Sequence, residues 1–163
     1  MLIKYKGETY PSLQASGNAA RFAIPFAQEF CKGIVYDVGF SKNEWKFPGS
    51  KGIDIEDDTV FHAMNLPYGR VDAIFSSHFL EHYLGRFQDV IEYWLSLLKN
   101  DGIIFLYLPN MNYQKYWAWG NKKHIHYMSP KIMKDYCRTL DVDWFMVTKG
   151  YDLNGSFYVV IRK

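Results

Sequence analysis

Only two of the 163 residues are cysteines, Cys31 and Cys137, and they stand far apart with no CxxC pairing. A disulfide framework and a cysteine-based zinc ribbon are therefore not expected; two buried free thiols in a reducing compartment are. No apolar run approaches the roughly twenty residues that cross a bilayer, and the opening "MLIKYKGETYPSL" has no apolar core of the signal-peptide kind. The expectation is a soluble cytoplasmic protein with no membrane partner. Excess charge of one sign is missing too. Nineteen Lys and Arg oppose seventeen Asp and Glu, a net charge of +2, so charge gives no reason to expect nucleic acid. No repeat, low-complexity tract or linker divides the chain, and one domain over residues 1–163 is expected.

Apolar residues make up 48% and charged residues 22%, an ordinary globular balance, while aromatics reach 18%. So many rings require either a wide core or a stacking surface. "SGNAARFAIPFAQEFCKG" reads as a helix, with Ser16 or Asn18 to cap it and Gly33 to stop it. Phe22, Phe26 and Phe30 recur every four residues and share one face. "GIVYDVG", "KGIDIED" and "VDAIFSS" read as strands. In "RFQDVIEYWLSLLKNDG" the residues Val90, Ile91, Trp94, Leu97 and Leu98 form a helical stripe, with Gly102 after its end. "IIFLYLP" is apolar at almost every position, as a strand covered on both faces must be. "SPKIMKDYCRTL" is a helix with Ser129 at the N-cap and Pro130 at N1. "DVDWFMVTKG" and "GSFYVVIRK" close the chain as an antiparallel pair around the turn-rich "YDLNG". Strands interleaved with helices predict an α/β, Rossmann-like doubly wound sheet, mostly parallel, with the antiparallel hairpin at one edge.

In such sheets ligands bind beyond the carboxyl ends of the strands. Gly39 stands there after the first strand, and Asp54 ends the second, close to the roughly twenty-residue interval expected of a ribose-binding acid. A dinucleotide also needs a helix N-terminus for its pyrophosphate, and residues 40–51, with Pro48 and Gly49, leave little room for one. An adenosine cofactor without phosphates, such as S-adenosylmethionine (SAM), escapes that objection, and Asp37 suits its ammonium. This segment alone fits either a cofactor cleft or an ordinary strand connection.

The following stretch carries more. "LPYGRVDAIFSSHFLEHY" and then "VIEYWLSLLKNDGIIFLYLPN" resemble the small class I SAM-dependent methyltransferases. The matching motifs are Asp37-Val38-Gly39, Asp54, Leu66-Pro67-Tyr68, Ser77 to His82, Leu98 to Gly102, and Pro109-Asn110. The resemblance spans residues 33 to about 161. It implies a sheet of about seven strands, SAM as cofactor and a methyl acceptor of unknown kind. It also implies cofactor contacts from Asp37, Val38, Gly39, Phe40, Asp54, Ile55, Met64, Asn65, Ser77 and His78. The chain departs from that pattern in two places. The family's glycine loop keeps only Gly39, with Ser41 at the second position, and the acid that precedes "LP" in the family is replaced by "FHAMN".

Methyl transfer needs positioning more than a catalytic signature. Candidates for a base are His78, His124 and His126. The segment "NMNYQKYWAWGNKKHIHYMSP" crowds aromatics after the fifth family strand, and Tyr113, Tyr116 and Trp117, with His124, are candidates to meet the acceptor. His124 and His126 alternate as metal ligands can, but no third ligand has persuasive spacing, so no metal is expected. Two other readings stay open. One is a methyltransferase fold without activity, working as a binding or assembly module. The other is a nucleic-acid-binding protein that uses the aromatic loop and Lys122 and Lys123. Neither the acceptor nor the oligomeric state follows from the sequence.

Overall fold

The computed structural model describes residues 2–5, 8–11, 18–40, 42–53, 63–67, 69–112, 124–149 and 155–163. Strands β1 (Leu2–Tyr5) and β2 (Glu8–Pro11) form an antiparallel hairpin that the sequence pattern did not signal. Helix α1 (Ala20–Phe30) follows, then β3 (Val35–Val38), a 3-10 turn (Asn43–Trp45) and β4 (Lys51–Ile53). The second half runs β5 (Val71–Ser77), a 3-10 turn (Leu80–His82), α2 (Phe87–Leu97), β6 (Leu98–Pro109), α3 (Pro130–Cys137), β7 (Asp143–Val147) and β8 (Ser156–Arg162).

The main sheet has the order β4-β3-β5-β6-β8-β7. Its first four strands are parallel, and β8 lies antiparallel between β6 and β7. This sheet holds six strands among the described residues, against the expected count of about seven. The chain leaves β3 for β4 on one side and returns to β5 on the other. The crevice at the C-terminal ends of β3 and β5 is therefore the switch point of the fold.

Side-chain alternation explains the unbroken apolar runs. Ala73 and Phe75 of β5, with Ile103, Phe105 and Tyr107 of β6, pack on the α1 side. Their neighbours Ile74, Ile104, Leu106 and Leu108 pack on the opposite side, with α2 and α3. On α1 it is the small residues Ala23 and Ala27 that are fully buried, letting the helix approach the sheet closely. Phe26 and Phe30 flank that seam, with ring centroids 5.5 Å from Tyr158 and 6.1 Å from Phe105.

On α2, Val90, Ile91 and Trp94 face the core as expected. The helix stops at Leu97, earlier than Gly102. Leu98 already pairs with Val71, and Asp101 takes a left-handed backbone, φ 61°. Trp94 Nε1 donates to the Ala63 carbonyl at 2.8 Å, and the Leu66 amide donates to Tyr93 Oη at 3.1 Å. Helix α2 thereby fixes the chain from Ala63 to Leu66 that leads into β5.

The α3 cap forms as its sequence predicts. Ser129 Oγ accepts from the Ile132 amide at 3.3 Å, with Pro130 in the first turn. Ser129→Ala is expected to lower stability by about 1 kcal/mol, measured by urea unfolding, while Ser129→Asp should keep most of it. At the start of α1 the Asn18 cap does not form, because Ala19 occupies the N-cap without a side-chain bond; Ser16 lies outside the described residues. No helix among the described residues is long and apolar enough to cross a membrane.

Candidate functional site

Gly39 leaves β3 with φ 86°, and its amide donates to the Ile53 carbonyl of β4 at 2.8 Å. A Cβ at this position would stand 2.6 Å from the Phe79 ring. Both the backbone and the space therefore require glycine. Gly39→Ala is expected to cost about 1–3 kcal/mol in chemical unfolding. A cost near zero would mean that Phe79 moves aside freely.

Asp37 of β3 is buried and points toward the same crevice. Its Oδ2 accepts from the Phe47 amide at 2.7 Å. Burial pushes its pKa up to about 7, and the Phe47 N–H and nearby Lys46 only partly offset this. Ser76 Oγ donates to the Val38 carbonyl at 2.9 Å and ties β5 to β3 beneath the site.

Asn18, Asp37, Gly39, Phe40, Trp45 and Ser77 line a cavity of about 20 Å³ at the switch point. Asn18 Oδ1 and Ser77 Oγ are buried there without a hydrogen-bond partner among the described residues. The Phe40 ring lies over Gly52, where a Cβ would come within 2.4 Å of it. Trp45 holds Lys42 over its own ring at 4.5 Å. Thus Asp37, Gly39, Phe40 and Ser77 line one cavity, next to Val38. Trp45 joins them, as a crevice-filling ring of the binding-module reading would, and so does Asn18. The sequence suggests a helix cap for Asn18, and no local pattern marks it as a cleft residue.

Met64 is half-buried against the core beside α2, and Asn65 is exposed. Asp54, Ile55, Tyr113, Tyr116 and Trp117 lie outside the described residues.

The histidines form a second cluster beyond β5. His78 has a left-handed backbone, φ 50°, rare for a non-glycine residue. Its Nε2 lies 3.0 Å from Ser156 Oγ and its Nδ1 3.6 Å from Glu81 Oε1. Burial, aided by His124 and His82, pushes its pKa down to about 3, so the ring is neutral. His82 Nε2 is 3.9 Å from Glu81 Oε1, and the His82 and His124 rings meet edge to face at 4.6 Å. His126 points elsewhere: its Nε2 lies 2.8 Å from the Tyr83 carbonyl and 2.7 Å from that of Gly85. Both contacts suit a donating Nε2–H that staples the loop. His124 therefore meets Glu81 and His82 in place of the alternating partner His126, a pairing that sequence spacing could not show.

No family model and no curated protein sequence matches this chain. Its fold does match solved structures. A SAM-dependent methyltransferase of Thermotoga maritima superimposes with TM-score 0.68 at 13% identity, covering 93% of this chain and 95% of that one. The CcbJ methyltransferase of Streptomyces caelestis gives 0.70 at 12%, covering 94% and 98%. The plantazolicin methyltransferase BpumL, in complex with SAH, gives 0.61 at 11%, covering 91% and 84%. The chain has the class I SAM-dependent methyltransferase fold.

Proposed function

We propose that the chain binds SAM in the crevice between β3 and β5 and transfers its methyl group to an acceptor. The observation that carries this reading is the set of oxygens on the cavity: the Asp37 carboxyl, Asn18 Oδ1 and Ser77 Oγ. Three acceptors converge where the fold places its ligand, two of them lacking partners among the described residues. An ammonium offers three N–H donors, so the amino-acid end of SAM suits them. A pyrophosphate does not suit them. The same acceptors would repel it, and the loop after β3 contains one 3-10 turn, Asn43–Trp45, in place of a helix N-terminus.

Bound SAM would supply a methyl group on a sulfonium for in-line displacement. Asp37, Asn18 and Ser77 would anchor the amino-acid end, and Gly39 would leave room for the chain to pass close by. Asp54, next in the chain after β4, is proposed for the ribose hydroxyls. Tyr113, Tyr116, Trp117 and His124 are proposed for the acceptor side. The acceptor itself is unidentified. Protein incubated with SAM and fractions of a small-molecule extract should produce S-adenosylhomocysteine (SAH) above background with at least one fraction, and Asp37→Ala should abolish it. SAM binding without turnover on any fraction would remove the small-molecule acceptor.

A second reading rests on the size of the cavity. About 20 Å³ holds little more than a water molecule, so a nucleoside enters only if Phe40 and Trp45 turn outward. A fold whose crevice stays closed would work as a binding or assembly module. Phe40→Ala separates the two. A gating ring predicts that parent and variant both bind SAH, the variant at least as tightly. Binding that appears only in the variant would favour the closed module.

A further inference from the structure

Glu81 is the most enclosed charged residue among those described. Its side chain is 0% exposed, yet neither carboxylate oxygen has a hydrogen-bond partner among the described residues. A buried carboxyl so placed is costly unless something satisfies it. Its neighbours are imidazoles. One ligand atom each from Glu81, His82 and His124 fall within 4.8 Å of one another.

Backbone contacts hold this cluster together. The 3-10 turn Leu80–His82 sets Glu81 and His82 side by side. Across the chain, the Ile125 and His126 amides both donate to the Glu81 carbonyl, at 2.7 and 3.1 Å. With the His126 ring against the Tyr83 and Gly85 carbonyls, these bonds bring His124 up to the turn. His78 backs the arrangement from the β5 side, with Nε2 near Ser156 Oγ and Nδ1 near Glu81. Its unusual φ of 50° is the kind of backbone strain that surrounding structure must sustain.

We propose that Glu81, His82 and His124 bind one divalent transition-metal ion, leaving at least one coordination position open to an exogenous ligand. Two imidazoles and a carboxylate suit zinc, manganese, iron(II) or cobalt, whereas magnesium and calcium favour all-oxygen sets. Around an ion at the usual distances of about 2.0–2.2 Å, tetrahedral ligand atoms stand about 3.4 Å apart, so the three side chains would draw together by up to about 1.4 Å on binding. The ion would also give the Glu81 carboxylate the positive partner it lacks. The site stands apart from the cofactor reading, since none of its three ligands lines the crevice at Asp37.

The test is titration of the full-length, chelator-stripped protein with Co²⁺, followed by its visible absorption and by displacement with Zn²⁺. The expected result is one Co²⁺ per chain with d–d bands, displaced by Zn²⁺ and weakened more than about 100-fold in Glu81→Gln and in His124→Ala. His124 is only half-buried, so His124→Ala carries the test if Glu81→Gln fails to fold. Equal Co²⁺ affinity in a folded variant, or no binding up to about 1 mM, overturns the site. Glu81 would then be a buried protonated acid among histidines.

Discussion

Asp37→Asn is expected to weaken SAH binding by more than about 100-fold at pH 8, corresponding to a lost charge-assisted contact of roughly 3 kcal/mol. It should also flatten the pH dependence of binding. In the free protein burial raises the Asp37 pKa to about 7, so below that pH the carboxyl is mostly protonated and cannot pair fully with an ammonium. Affinity in the parent protein should therefore rise as the pH increases from about 5.5, by up to about tenfold per unit, and level off above about 7. Binding in that lower range should release a proton, visible as a heat that depends on the buffer's ionisation enthalpy. The stability of the ligand-free protein has the opposite sign. The folded pKa lies above the usual 3.8, so the folded state holds the proton more tightly than the unfolded state does. Asp37 therefore stabilises the fold at acid pH and loses that contribution as the pH rises from about 4 to about 7. The asparagine variant should lack this slope. SAH binding that is independent of pH in the parent protein would mean that the ammonium does not sit at Asp37.

Trp94→Ala is expected to be among the most destabilising single changes, at about 3–5 kcal/mol in chemical unfolding. Trp94 is fully buried, it stacks at 6.2 Å on Phe79, and its Nε1 donates to the Ala63 carbonyl. The substitution leaves a cavity and also orphans that carbonyl. It should loosen the Ala63–Leu66 segment and the Phe79 ring that closes on Gly39, so ligand affinity should fall along with stability. Leu84, 89% exposed, provides the control: Leu84→Ala should change stability by no more than about 0.5 kcal/mol. A loss near 1 kcal/mol for Trp94→Ala would contradict the packing described for α2.

The sheet was legible where burial is symmetrical. "IIFLYLP" has no polar alternation because Phe105 and Tyr107 face α1 while Ile104 and Leu106 face α2 and α3. The closing antiparallel pair followed from two alternating runs around a turn. The N-terminal hairpin was not legible, since each strand has four residues and neither carries a strong pattern. The phenylalanine stripe of α1 misled in part. The fully buried positions of the helix are Ala23 and Ala27, which a search for large apolar residues passes over.

Within the crevice, Gly39 was readable because the chain turns there with a positive φ, and Asp37 because an acid is conspicuous inside an otherwise apolar strand. Asn18 was not, since its approach to Ser77 is purely tertiary. The same holds for the second cluster. His124 reaches Glu81 only because two amides from residues 125 and 126 bond one carbonyl some forty positions earlier in the chain. Sequence spacing offered His126 as its companion, and the backbone sends His126 to the Tyr83 and Gly85 carbonyls instead.

The most direct measurement is calorimetric titration of the purified protein with SAH at pH 8. The account predicts one binding site of micromolar affinity, lost in Asp37→Asn. No heat of binding from well-folded protein with ligand up to about 1 mM would contradict it, and would leave the methyltransferase fold without its cofactor.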